Sequence, residues 1–202
     1  QSMLRRQEDQ LEWYNTGDPT EVALVALVMK AGLNYRTLRE LERVMPRVAG
    51  IPFTSENKFM ATVHTVFVGG RARNLLMVKG AFDVLLPRCA WQARGLDATN
   101  SEPLDRERWQ QANEDLACGG MRVLALCQQW LPDDVVPSEV KADYILLNPP
   151  FLQLNALVAI MDPPREEVID AIKSCHTAGV VVKMITGDHA AVTNKKNEEE
   201  GD

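Results

Sequence analysis

The spacing of apolar positions changes character along the chain. In "TGDPTEVALVALVMKAG" they run almost all round a helical wheel, bounded by Asp18 as cap, Pro19 at the first helical position and Gly32 as the stop. A helix with so little polar face predicts burial on every side. The next stretch, "YRTLRELERVMP", reads as an amphipathic helix ended by Pro46. Then the period shortens. "FMATVHTVFVGGRARNLLMVKG" alternates or runs β-branched and breaks at Gly69-Gly70, which predicts an antiparallel hairpin. A charged helix is predicted over about residues 103–118, stopped by Gly119-Gly120. After it come a strand, "MRVLALCQQW", and a Pro-rich loop, "PDDVVPSEVKADYILLNPP".

Beyond the loop the pattern is strand, helix, strand. "FLQLNALVAIMD" is apolar and ends in an acid, "PPREEVIDAIKSCHTAG" is a helix with Pro at its start and Gly at its end, and "VVVKMITGD" is a second strand. That order predicts a βαβ unit with parallel pairing and a right-handed crossover. The expected organisation is therefore an α+β domain, an antiparallel sheet flanked by helices, over residues 1–154. A partial α/β segment follows over residues 155–190. The charged tail, residues 191–202, reads as disordered or vector-derived.

Composition narrows the function classes. The chain has 202 residues and a formal charge of −6, which argues against a sequence-independent grip on nucleic acid. Cys89, Cys118, Cys127 and Cys175 form no C-x-x-C pair, and His64, His176 and His189 are scattered, so neither a disulfide framework nor a protein-built metal site is expected. There is no bilayer-length apolar run and no signal peptide, and the expectation is a soluble chain that does not itself insert in a membrane.

Four local groups bear on chemistry. Asp18-Pro19-Thr20-Glu21 sets an acid and a hydroxyl at a helix start. "IPFTSENKFM" places Phe53 five residues before Lys58. Lys79 is followed by the small pair Gly80-Ala81, and Arg122 stands on an apolar strand. Each alone is better explained as ordinary structure: a cap, a core Phe with a solvated Lys, a turn, a snorkelling Arg. Together they suit a purine nucleotide. An aromatic ring stacks on adenine for about 1–3 kcal/mol, a Gly-Ala shelf lets backbone approach a flat ring, and a guanidinium forks onto phosphate oxygens. No G-x-x-x-x-G-K-[ST] loop is present, so base and scattered charges would do the holding. Near the other end, "MDPPR" and "MITGD" fall at the carboxyl ends of the two predicted parallel strands, where open α/β sheets bind ligands. Thr186, with the amides of Gly187 and Asp188, suits a phosphoryl group.

In their order, "TGDPTEVAL", "IPFTSENKFM", "VKGAFDVLLPRC", "MRVLAL", "MDPPR" and "MITGDH" resemble the successive signatures of the P-type cation-transporting ATPases, in the calcium, sodium/potassium or proton pump branch. The resemblance covers about residues 14–190. It implies a nucleotide-binding domain followed by part of a haloacid-dehalogenase-like phosphorylation domain. It further implies an ATP site of Glu21, Phe53, Lys58, Lys79, Gly80, Ala81 and Arg122. Asp162, Arg165, Thr186, Gly187 and Asp188 would serve the phosphates and the closure of the two domains. The ligand implied is ATP, as Mg-ATP in a full-length parent, and the partners are the pump's own phosphorylation, actuator and membrane domains. The parent would lie in a membrane with this part on the cytoplasmic side.

Two departures qualify the likeness. The family's Lys-Gly-Ala-Pro-Glu pattern is here Lys79-Gly80-Ala81-Phe82-Asp83, which keeps an acid but loses the proline. The Asp-Lys-Thr-Gly motif of the phosphorylated aspartate and the later Gly-Asp-Gly-x-Asn-Asp segment are not in this sequence. The expectation is thus an excised piece that binds ATP near millimolar, about −4 kcal/mol, without turning it over. The competing readings are an inactive interaction module that keeps the fold, and a haloacid-dehalogenase-type phosphatase with a large cap. The phosphatase would need an Asp-x-Asp nucleophile motif after an N-terminal strand, which is lacking.

Overall fold

The computed structural model describes residues 3–6, 13–95, 97–161 and 166–183. Its chain divides into two compact units. One holds residues 1–50, 62–76 and 130–140, and the other residues 51–61, 77–129 and 141–202. The fold is α+β with a mostly antiparallel sheet, as the pattern of periods predicts.

In the first unit, β1 (Met3–Arg6) and β2 (Trp13–Thr16) form an antiparallel pair with Met3 opposite Thr16. Helix α1 (Pro19–Lys30) starts where the sequence requires: the Asp18 carboxylate accepts from the amides of Thr20 at 2.9 Å and Glu21 at 3.2 Å. Its predicted all-round burial is not observed. Only Val22 is buried, and Leu27 is 45% exposed. An apolar surface states what a helix needs covered, but the neighbouring elements decide what is covered. Helix α2 (Tyr35–Val44) is the amphipathic one, capped by the Asn34 side chain.

The hairpin forms as predicted, from β4 (Phe59–Val68) and β5 (Arg71–Ala81), preceded by β3 (Arg47–Ile51). Gly69 and Gly70 have φ of 58° and 77°. Positive φ at both central residues is the type I′ geometry that matches strand twist, and it is why two glycines stand there. Strands β3, β4 and β5 are successive neighbours in the sheet, and β4 and β5 each contribute residues to both units.

In the second unit the order continues from β5 to β8 (Arg122–Trp130), β9 (Leu152–Ile160), β6 (Cys89–Arg94) and β7 (Asp97–Pro103). β8 and β9 are antiparallel, with Arg122 opposite Ile160, whereas β6 and β9 are parallel. Between β5 and β6 lie α3 (Phe82–Leu85) and a 3₁₀ turn, Leu86–Arg88. Helix α4 (Arg106–Cys118) covers most of its predicted span. Phe59, Leu85, Cys89, Ile145, Leu152 and Leu154 are fully buried in this unit.

Three sequence expectations need correction. The Pro-rich loop contains a helix, α5 (Ala142–Leu147), with Ile145 fully buried; an apolar anchor outweighs the prolines, which fall outside the helix. Strands β1, β2, β3, β6 and β7 were not predicted. β7 is polar and poor in strand formers, and its pairing with β6 outweighs local propensity. Lastly, β9 pairs with β8 and β6, and Val180–Val182 and Lys183, which follow helix α6 (Glu166–Thr177), form no strand. Val181 is 78% exposed. The remainder of "VVVKMITGD", and residues 191–202, lie outside the described residues.

Candidate nucleotide site

Three of the predicted residues, Lys58, Gly80 and Ala81, meet where β4 begins and β5 ends. After Ile51 the chain passes Pro52 and Phe53 and makes a turn that Thr54 organises. Its hydroxyl accepts from the Asn57 amide at 3.1 Å and its carbonyl from the Lys58 amide at 2.8 Å. Lys58 leaves the turn with φ of 55°. A left-handed non-glycine residue costs on the order of 1–2 kcal/mol. Its amide is held by Thr54 and its carbonyl accepts from the Ala81 amide at 2.9 Å, so the conformation is fixed from both sides.

That last bond draws the Gly80-Ala81 backbone onto the Lys58-Phe59 backbone. A Cβ placed on Gly80 would lie 2.5 Å from the Phe59 Cβ and 2.6 Å from the Lys58 carbonyl oxygen. Only glycine fits. Lys58 Nζ lies 3.8 Å from Asp83 Oδ2, both side chains well exposed, so the pair orients more than it stabilises, at about 0–1 kcal/mol. Asp83 is a residue that the sequence reading did not place at the site. Its signal was the acid retained after Gly80-Ala81-Phe82. Thr54 was also missed, although Thr-Ser-Glu-Asn is turn composition.

Phe53 is 62% exposed, less than Phe67 at 72%, so its side chain is free to meet a ligand although exposure alone does not require one. Its sequence alternative, a core Phe, is thereby set aside. Lys79 is half-buried, next to Gly80 on β5. The Leu131 amide donates to the Asn74 carbonyl at 2.9 Å, which ties the end of β8 to the start of β5. The two strands therefore run antiparallel, and Arg122, exposed at the start of β8, belongs to the sheet end where β5 finishes. Lys58, Gly80 and Ala81 are brought into direct contact. Lys79 precedes Gly80 on β5, Phe53 stands in the loop five residues before Lys58, and Arg122 begins β8 at the sheet end where β5 finishes. Glu21 lies in the first turn of α1, in the other unit. Asp162, Arg165, Thr186, Gly187 and Asp188 lie outside the described residues.

Among the described residues no three His, Cys, Asp or Glu are grouped to hold a metal ion. No described helix is long and apolar enough to cross a membrane. Cys89 and Cys127 are buried with their sulfurs 3.6 Å apart, and no disulfide joins them. The hydrogen bond with Cys89, then burial, then the neighbouring sulfur's charge push the Cys127 thiol well above its usual range.

Comparison with known proteins decides the family. The family model described as P-type ATPase, cytoplasmic domain N, matches residues 1–167. The chain belongs to this family. It is similar to a probable cation-transporting ATPase F of Mycobacterium tuberculosis, 38% identical over 185 residues, which is 90% of this chain and 19% of the relative. A calcium-transporting ATPase 1 of Lactococcus lactis is 39% identical over 173 residues, 86% of this chain and 18% of that protein. A sodium/potassium-transporting ATPase subunit alpha-1 of Catostomus commersonii is 36% identical over 177 residues, 86% of this chain and 17% of that protein. The chain thus spans about a fifth of the length of these P-type ATPases. The family match runs through α1, the hairpin and all of β9, so the sheet that positions the Lys58–Gly80 junction is the sheet of a P-type ATPase N domain.

Proposed function

We propose that the chain is the ATP-binding part of a cation-transporting pump that forms an aspartyl-phosphate intermediate. The observation that carries this reading is the Lys58–Gly80 junction: a backbone shelf with no room for a side chain, with Lys58 in it, Lys79 preceding it on β5, and the exposed Phe53 five residues before Lys58. In this reading Phe53 stacks on adenine, and Gly80 and Ala81 pass beside the base. Lys58 and Lys79 line the pocket, and Arg122 takes the phosphates. Glu21, which the family resemblance assigns to the base side, belongs to the other unit. The residues fit the ligand chemically. Stacking on one ring supplies about 1–3 kcal/mol, and partly exposed cations add modest attraction to a polyanion. Magnesium would arrive with the triphosphate.

Residues 1–154 are proposed as the nucleotide-binding domain and residues 155–190 as the beginning of a haloacid-dehalogenase-like phosphorylation domain. There Asp162, Arg165, Thr186, Gly187 and Asp188 would meet the nucleotide on closure. β9 runs unbroken across residue 154, so the proposed boundary is one of role and not a break in the sheet. Transfer needs an aspartate nucleophile in an Asp-Lys-Thr-Gly setting that these residues do not include, and the chain is expected to bind ATP without turnover. The rest of the pump, with its membrane part, is the implied partner, and the cytoplasmic side of that membrane the implied location.

An NMR titration with ATP tests the reading, wild type against Phe53→Ala and Lys79→Ala. Saturable shifts around Phe53, Gly80 and Arg122 that weaken in both variants are expected. A folded chain without shifts up to about 10 mM ATP, well above the expected constant, would overturn it.

A further inference from the structure

A cavity of about 460 Å³ lies in the first unit, where β5 begins and β8 has just ended, lined by Arg71, Arg73, Asn74, Leu131 and Asp133. Its walls are set by the sheet. The Leu131 amide is bonded to the Asn74 carbonyl, and the Thr65 hydroxyl donates to Asn74 Oδ1 at 3.0 Å. The Arg73 guanidinium carbon stands 4.7 Å from the centroid of the Trp130 ring. A guanidinium seated on an indole keeps its N–H edge available while losing rotational freedom, so little entropy is left to lose on binding. Among the described residues neither Arg71 nor Asp133 has an ion-pair partner, although both line the same space.

We propose that this cavity binds a small phosphate monoester bearing an ammonium or hydroxyl group beside the phosphate. Arg71 and Arg73, two positions apart on β5, share one face of the strand and offer guanidinium donors to the same cavity, which suits a phosphate's oxygens. Asp133, lining the same cavity, offers an acceptor. Opposite charges that flank a cavity without neutralising each other fit a zwitterionic or hydroxylated ligand better than a bare anion, which Asp133 would repel. The volume is that of a small-molecule site, too large for an ion alone. The site is independent of the ATP reading, since Arg71 opens the strand that Gly80-Ala81 closes and none of its residues belongs to the Lys58–Gly80 junction.

The test is a titration of the full chain with inorganic phosphate and with phosphoethanolamine, reading the arginine Nε–H and Trp130 indole signals by NMR at constant ionic strength. Arg71→Gln and Asp133→Asn are the variants, since both positions are exposed and hold nothing else in place. Phosphoethanolamine is expected to saturate at lower concentration than phosphate. Arg71→Gln should weaken both at least tenfold. Asp133→Asn should strengthen phosphate several-fold and remove the advantage of phosphoethanolamine. Shifts that follow sodium chloride equally, or an Arg71→Gln curve that overlays the wild type in an unchanged amide spectrum, would overturn the proposal.

Discussion

Gly80 sits against Phe59 so closely that one added methyl group would lie 2.5 Å from the Phe59 Cβ and 2.7 Å from its Cα. Phe59 is fully buried, and its backbone is fixed by the hairpin. Neither side has room to yield. Gly80→Ala is therefore expected to cost about 1–3 kcal/mol, the range for overpacking a tight core, and to break the Ala81–Lys58 hydrogen bond. Urea unfolding measures the loss. Substitution at Gly70, where nothing lies within 4 Å of an added Cβ but φ is 77°, is the contrasting case in which only backbone strain acts.

A second expectation concerns a polar hub. Gln92 is 5% exposed, donates to Glu102 Oε1 at 2.6 Å, and accepts from the Trp109 indole at 2.7 Å and the Asp105 amide at 3.0 Å. It fastens the start of α4 to β6. Gln92→Leu would keep the volume and orphan two donors, at about 1–3 kcal/mol each where they stay dry. Trp109→Phe removes one donor and leaves the Gln92 oxygen with the Asp105 amide, so it should cost less. Reversal of that order in thermal unfolding would refute the role given to Gln92.

How much of this was legible in the sequence depends on the range of the interaction. The α1 cap, the Gly69-Gly70 turn and the Gly119-Gly120 stop are decided within a few residues, and each stands where the pattern put it. β6, β7 and α5 are decided by partners far along the chain, and local pattern missed all three. The candidate site divides the same way. Lys79-Gly80-Ala81 carries its chemistry in its own residue types. What Gly80 excludes became visible only once Phe59, twenty-one positions earlier, was seen beneath it. The pairing of Lys58 with Asp83 likewise spans the whole hairpin.

The buried cysteines give a pH dependence whose sign is fixed. Hydrogen bonding to Cys89 and burial favour the protonated Cys127 thiol, so its pKa in the folded state is above the unfolded value of about 8.5. The folded state then holds a proton that the unfolded state releases. Stability from this group is fully present below about pH 8 and is lost as pH rises through the unfolded value toward the folded one. Denaturation midpoints should fall on the alkaline side, and Cys127→Ala should flatten that fall. Alkylation tells the same story: Cys118, exposed at the end of α4, should react first, and Cys89 and Cys127 only on unfolding.

Phe53 allows binding to be separated from folding. A ring that is 62% exposed contributes little to the core, so Phe53→Ala should leave the unfolding midpoint within about 0.5 kcal/mol of wild type. If the ring stacks on adenine, the same change should weaken ATP by about 1–3 kcal/mol, roughly fivefold to a hundredfold. Tryptophan at this position should preserve or improve binding, because stacking needs a π face and not a particular ring. Calorimetry of ATP binding beside urea unfolding, on all three proteins, gives both quantities. Parallel losses of affinity and stability would mean that Phe53 supports the loop and does not touch the base. Loss of affinity alone, recovered by Trp, would leave stacking on the base as the physical reason for the exposed Phe53 ring.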